Sequence, residues 1–289
     1  MDNLFYLIDG HPSFQQFKIS DTLFTEYKCP EERTIFDIWS HLNYFVYVLS
    51  GKMEWQTQRS RYQIRASDSI FVKKGGNIVH KYFEEDFCSL IIMVSDEFIR
   101  TVLQEHPLSL PEGQPEGGDS VIPLVMDARL NFFFQSMYAY FFEAHSPPKA
   151  LLHIKFKELI LNMVSSPTQK DSLHYYFRLL CQSGKLSIPE IMEQNFAYNL
   201  SLEEYAQLCG RSLSTFKRDF RDHYRTSPGK WLKKRRLEYS RHLLDTTAMN
   251  VNEIAFNSGF ANTSHFIQEF KRVYGKTPLR FKQSRLQRG

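Results

Sequence analysis

Two stretches of this chain are one helical unit written twice. The first begins at Leu200, LSLEEYAQLCGRSLSTFKRDFRDHYRTSPGKWL, and the second at Met249, MNVNEIAFNSGFANTSHFIQEFKRVYGKTPLRF. Leu202 aligns with Val251, Ala206 with Ala255 and Gly210 with Gly259. One extra residue in the second turn then sets Phe216 on Phe266, Phe220 on Phe270, Tyr224 on Tyr274, Pro228 on Pro278 and Trp231 on Phe281. The matching positions are apolar or backbone-critical, and only polar positions differ. A repeat of that kind is one supersecondary unit used twice.

Each copy reads as helix, tight turn, helix. In the first, Leu202, Tyr205, Ala206 and Leu208 mark a short amphipathic helix. Gly210 is placed to turn left-handed where that helix ends, and Ser212 to cap the next. Phe216, Phe220 and Tyr224 recur at i, i+4 and i+8 as an inward stripe. The outward face then carries Ser214, Thr215, Lys217, Arg218 and Arg221, with Asp219 and Asp222 on it or beside it. In the second copy the outward set is Thr263, Ser264, His265, Gln268, Lys271 and Arg272. This is the helix-turn-helix pattern, in which the second helix enters a major groove. Short polar groups and long cations on that face suit base edges and phosphates. Two differently written faces are expected to read different sequences.

Between the copies, PGKWLKKRRLEYSRHLLDTT, from Pro228, reads as a connecting helix with Pro228 in its first turn. Trp231, Leu232, Leu237, Leu243 and Leu244 supply its apolar contacts, while Lys233, Lys234, Arg235 and Arg236 face either phosphates or solvent. A rigid connector would hold the two readers about 34 Å apart, the spacing of successive major grooves on one side of a duplex.

Charge divides the chain in the same place. From Phe196 to Gly289 there are 18 Lys and Arg against 8 Asp and Glu, a net of +10; the other 195 residues carry a net of −6. One basic domain beside an acidic remainder points to a polyanion, nucleic acid first, as partner of that domain alone. With 289 residues, 42% hydrophobic and 24% charged, the chain has room for two folded domains and is not a disordered tail. No apolar run approaches the roughly 18 residues that span a bilayer. The start MDNLFYLIDG lacks a basic stretch ahead of an apolar one, so a cytoplasmic location with no membrane association is expected. Cysteines 29, 88, 181 and 209 form no CxxC pair, which fits a reducing compartment and argues against a zinc site.

Residues from about 18 to 95 read as strands: FKISDTLFTEYKC, NYFVYVLSGKMEWQTQ, RYQIRASDSIFVKK and FCSLIIMVS, with hairpin signals at Gly51 and at Gly75-Gly76. A small sandwich or barrel is expected. PEGQPEGGDS, from Pro111, reads as a linker, after which the period turns helical in ARLNFFFQSMYAYFFEAH and PPKALLHIKFKELILNMV, divided at Pro147-Pro148. Leu151, Ile154, Phe156 and Leu159 form the apolar side of the second of these helices, read either as packing on the sheet or as a contact between two copies of the chain.

Residues from about 188 to 286 resemble the DNA-binding domain of the AraC/XylS transcription regulators. The resemblance rests on the LSLEEYA start, the connector RRLEYSRHLL, the stretch VNEIAFNSGF and SHFIQEFKRVYGKTPLRFK. It implies Ser214, Lys217 and Arg218 as base readers in the first unit and Ser264, His265 and Gln268 in the second, with Arg221, Lys271 and Arg272 on phosphates. More loosely, YVLSGKMEWQTQRSRYQIRASDSIFVKKGGNIVH resembles the cupin-like effector or dimerisation domain of the same family. FVKKGG stands where sugar-sensing relatives carry a proline-glycine turn. Lys73 and Lys74 read as an exposed basic turn, a feature similar to activators of secretion systems, whose N-terminal domain answers to a protein partner.

A cupin could instead be a metal-dependent enzyme, the alternative reading. That chemistry needs clustered histidines and a carboxylate. Here His41 is followed by Asn43, and His80 stands apart from both it and Glu54. Trp39, Tyr47, Trp55 and His80, with Tyr44, Tyr62 and Phe71, are candidates to line an effector cavity or to be simply the core. The expected architecture is therefore α+β: a cupin-like β-barrel or sandwich over 1–110, a linker and helical dimerisation segment over 111–185, and an all-α tandem helix-turn-helix domain over 188–286. The partners implied are double-stranded promoter DNA, RNA polymerase, a small-molecule or protein effector and a second copy of the chain; no cofactor, metal or catalytic residue is expected.

Overall fold

Two sheets built around one apolar core make up the strand-rich part. A computed structural model describes residues 1–28, 35–81, 87–106, 118–143, 145–169, 171–183 and 187–286. The chain divides into two units, Met1–Leu186 and Ser187–Gly289.

In the first unit, β1 (Asp2–Asn3) and α1 (Leu4–Ile8) precede β2 (Gln16–Ile19), β3 (Thr22–Lys28), β4 (Ile35–Ser40), β5 (Asn43–Ser50), β6 (Lys52–Gln56), β7 (Arg61–Arg65), β8 (Ser69–Val72), β9 (Gly75–Lys81) and β10 (Cys88–Val94). Helix α2 (Asp96–Glu105), β11 (Val121–Pro123), α3 (Ala128–Ala139), α4 (Lys149–Ser165) and α5 (Asp171–Ser183) complete it. One sheet has the order β1-β4-β9-β6-β7, the other β11-β8-β5-β10-β3-β2. Pairing is antiparallel except between β1 and β4.

This topology corrects both hairpin expectations. At Gly51 (φ 77°) the chain passes from β5 in one sheet to β6 in the other, and at Gly75 (φ 138°) from β8 to β9 likewise. Glycine does mark a tight change of direction there, but the strands it joins never pair. The hairpins are β2-β3 and β6-β7. Tyr44, Val46 and Val48 of β5 join Met53 and Trp55 of β6 in the shared core. The alternate residues of β5 are buried too: Phe45 packs on Phe71, which meets Phe177 of α5, and Tyr47 stacks on Phe134 of α3 at 4.5 Å. A sheet covered on both sides needs an unbroken apolar strand, which is what NYFVYVL supplies.

Pro147-Pro148 does open α4, after a short 3-10 turn at Tyr140–Phe142. Of the expected linker, residues 111–117 lie outside the described residues. Asp119, at its far end, is tied down by Thr57 Oγ1 at 2.8 Å and Tyr62 Oη at 2.9 Å, both donating to Oδ2. Cys29 also lies outside the described residues. No helix among those described is long and apolar enough to cross a membrane.

The second unit is entirely helical: α6 (Ile188–Asn195), α7 (Leu202–Leu208), α8 (Leu213–Tyr224), α9 (Pro228–Thr246), α10 (Val251–Asn257), α11 (Thr263–Tyr274) and α12 (Pro278–Leu286). Together the units form an α+β chain, with the sheets in the first and the repeated helices in the second.

Candidate nucleic-acid interface

The two copies fold alike, down to their caps. Helix α7 starts with a capping box: Glu204 N donates to Ser201 Oγ at 3.2 Å, and Ser201 N to Glu204 Oε2 at 2.6 Å. Asn250 and Glu253 repeat it at α10, at 3.0 and 2.7 Å. The signal was present in LSLEEY and MNVNEI, since a polar cap followed three residues later by glutamate satisfies two orphan amides at once. The turns that follow place Gly210 at φ 62° and Gly259 at φ 83°. Ser212 then caps α8 and Asn262 caps α11, each accepting from amides of the first turn.

Phe216, Phe220, Phe266 and Phe270 are fully buried. Sequestering each ring contributes about 1.5–3 kcal/mol and fixes which side of α8 and α11 looks outward. Ser214, Arg218 and Arg221 are exposed on α8, with Thr215 and Lys217 half-buried beside them. On α11 Ser264, His265, Gln268, Lys271 and Arg272 are exposed. The structure therefore gathers the ten sequence-predicted residues on the outward sides of two matching helices, with Arg218 and Gln268 at equivalent positions.

Ion pairs modify that face. Arg218 Nη2 lies 3.2 Å from Asp219 Oδ1, while Arg211 Nε lies 3.2 Å from Oδ2 of the same carboxylate. On α11, Arg272 Nη2 donates to Glu269 Oε2 at 2.7 Å, Lys233 Nζ of α9 lies 3.2 Å from Oε1, and His265 Nε2 3.9 Å. The hydrogen bond from Arg272, aided by Lys233, holds the Glu269 carboxyl below the usual carboxylate range. Sequence reasoning passed over Glu269 and left Asp219 as an unassigned neighbour.

The connector's basic run splits by role. Arg236 donates through Nε to Phe196 O at 2.7 Å and through Nη2 to Tyr198 O at 2.8 Å, and so fastens the segment before α7 to α9. Arg235 pairs with Glu193 at 3.0 Å and lies over the Phe196 ring. Lys234, at 79% side-chain exposure, points outward.

In the first unit the expected effector set does not meet in one place. A cavity of about 100 Å³ is lined by Leu4, Phe14, Met53, Trp55, Phe87 and Ser89, among others. Trp55 reaches it, and Ser89 Oγ is buried without a hydrogen-bond partner among the described residues. Tyr47 lies on the other side of its sheet, against Phe134. Trp39 packs near His41, and His80 Nε2 is 2.8 Å from Gln56 Oε1, both away from the cavity. Alternation along a strand is the reason: neighbours one residue apart point to opposite faces.

Lys73 and Lys74 are buried, at 4% and 7% exposure, not an exposed turn. The sheet-to-sheet crossing carries them inward, where burial of a charge demands partners. Lys74 Nζ lies 2.6 Å from Asp96 Oδ2, and Asn43 Nδ2 donates to Asp96 Oδ1 at 2.8 Å. Asn43 Oδ1 accepts from Lys74 N at 3.0 Å and from Tyr176 Oη at 2.7 Å, while Lys73 Nζ sits over the Tyr176 ring at 5.2 Å. On α4, Ile154 and Leu151 are 60% and 39% exposed, but Phe156 and Leu159 are buried in the unit's interior. Helical rotation puts the latter two on the opposite side from Ile154.

A family profile described as ExsA N-terminal regulatory domain matches residues 43–175, and one described as helix-turn-helix domain matches 205–284. The chain is similar to the virulence regulon transcriptional activator VirF of Yersinia enterocolitica, 27% identical over 84% of this chain and 90% of that protein. It is similar to the HTH-type transcriptional regulator ExsA of Pseudomonas aeruginosa, 28% identical over 83% of this chain and 86% of the relative. The HTH-type transcriptional activator RhaS of Escherichia fergusonii is 36% identical, over 32% of this chain and 34% of its own length.

Proposed function

This chain belongs to the AraC/XylS family of DNA-binding transcription regulators, and from that premise we propose that it activates transcription by laying α8 and α11 into two successive major grooves. The observation that carries this reading is the pair of buried phenylalanine stripes, which turn two differently written polar faces outward on equivalent helices. Ser214, Thr215, Lys217 and Arg218 read bases through α8, and Ser264, His265 and Gln268 through α11; Arg221, Lys271 and Arg272 hold phosphates. The site is asymmetric because the faces differ. Similarity over most of the chain to VirF, a named transcriptional activator, supports activation; the partner at the promoter is then RNA polymerase, in the cytoplasm.

The first unit supplies control. The apolar cavity, at about 100 Å³, is below the roughly 300–1,000 Å³ of ordinary small-molecule sites, while a more polar hollow of about 390 Å³ is lined by Asp21, Ser95, Glu97 and Lys157, among others. Exposed Ile154 and Leu151, with Phe132 and Phe142 at 70% and 73% exposure, favour contact between two copies of the chain. Mapping the DNA bound by the chain in cells, alongside transcripts with and without its gene, tests the reading. Bound sites sharing one asymmetric sequence, upstream of transcripts that fall on deletion, are expected. Binding without a shared sequence would refute the reading, and transcripts that rise on deletion would refute activation.

A further inference from the structure

Asp219 and Glu269 occupy one place in the two reading helices. Each is the seventh residue of a twelve-residue helix and directly precedes its second buried phenylalanine, Phe220 or Phe270. A carboxylate beside a surface that meets phosphates repels them, so its presence twice at one position calls for a reason. Each joins two cations of different origin. Asp219 holds Arg211, from the turn before α8, and Arg218, from the outward face. Glu269 holds Lys233, from α9, and Arg272, from the outward face. The acids are sunk, with side chains 32% and 15% exposed, while Arg218 and Arg272 stand out at 70% and 66%.

We propose that Asp219 and Glu269 are specificity-determining positioning residues: each brackets a cation of the reading face to the scaffold, lowering affinity for DNA in general and sharpening the choice of sequence. The physical argument has two parts. A long cationic side chain loses rotamer freedom when it meets a base, and one already held loses less. A phosphate contact depends on net charge and little on direction, so a half-neutralised guanidinium gains less from it. Arg218 gives Nε and one Nη2 hydrogen to Asp219, which leaves Nη1 and the second Nη2 hydrogen for a ligand; Arg272 gives one Nη2 hydrogen and leaves Nε, Nη1 and the other. On Arg218 the remaining donors are held in direction, which is what a base edge requires; on Arg272, placed on a phosphate, the bracket acts by partly neutralising the charge that any duplex attracts.

The inference rests on the DNA-reading function, and its test separates the two. Asp219→Asn and Glu269→Gln keep the shape and remove the charge. The full chain would be titrated, by fluorescence anisotropy across a salt series, against a duplex it selects from a randomised pool and against a scrambled duplex of equal length and composition. In each variant, affinity for the scrambled duplex should rise about threefold or more with a steeper salt dependence, while affinity for the selected duplex changes by less than about twofold. Glu203→Gln, which removes an exposed carboxylate of α7, makes the same change in net charge and should leave the affinity ratio unchanged. Unfolding midpoints identify a variant that misfolds, and the other helix then decides the matter. Equal tightening on both duplexes, or an unchanged ratio, overturns the bracket. A wild-type chain that prefers no duplex overturns the DNA-reading function itself, and the bracket with it.

Discussion

Arg218 and Lys271 stand on equivalent helices yet should fail differently when removed. Arg218 is 70% exposed on the outward face, so Arg218→Ala should relax sequence preference and cost about 1–3 kcal/mol of specific binding. An unchanged preference profile, measured by selection with the variant, would remove it from the reading set. Lys271 is an exposed point charge in the last turn of α11; its loss should weaken all duplexes alike and reduce the salt slope by about one unit. The two turn glycines offer a second contrast. A Cβ on Gly210 (φ 62°) would meet nothing within 4 Å, whereas one on Gly259 (φ 83°) would lie 2.9 Å from the Ala197 carbonyl carbon and oxygen and from Arg236 Nε. Gly210→Ala should therefore cost about 1–2 kcal/mol of backbone strain and Gly259→Ala about 3 or more, read from urea unfolding. Equal costs would mean that the junction of Ala197, Arg236 and Gly259 is looser than it looks.

At the scale of elements, the repeated unit was legible because local rules agree there: caps, turn glycines and a 3.6-residue apolar period all mark the same boundaries. The strand half was less legible. Strands β4 and β9 and helices α2 and α5 escaped notice, since Gly75-Gly76 looks like a turn and DSLHYYFRLLCQS shows its apolar side only against Phe71. Which sheet a strand joins is set by long-range pairing, and no local pattern records it. That is why Gly51 read as a hairpin and the buried Lys74–Asp96 pair as a surface turn. On α4, Ile154→Glu should shift the chain from dimer to monomer in sedimentation while leaving its unfolding midpoint within about 0.5 kcal/mol, as befits an exposed site. A monomeric wild type would refute the copy-to-copy contact. In the first unit, burial, aided by the Lys74 charge, keeps His41 below the usual histidine value of 6.5. The fold therefore favours the neutral ring: that stability is full above 6.5 and is lost as pH falls through the lower folded value. The urea midpoint should drop between about pH 7.5 and about pH 5.5, and less steeply in His41→Gln; equal slopes would contradict the role assigned to His41.

Across the whole molecule, charge and architecture point the same way: the basic unit holds the repeated helices, and the acidic unit holds the sheets, the small cavity and the exposed side of α4. The candidate DNA-facing residues were legible from period and polarity. Their control was not, because the anchoring cations of Asp219 and Glu269, Arg211 and Lys233, are brought close only by folding, and because the proposed effector residues split between two faces of their sheets. Selection of duplexes by the full-length chain from a randomised pool, read out as base preference along the site, bears most directly on the central claim. Two unlike blocks of preference centred about 10 base pairs apart, on one face of the duplex, are predicted. A single block, two identical inverted blocks with nothing between them, or no enrichment at all would contradict it.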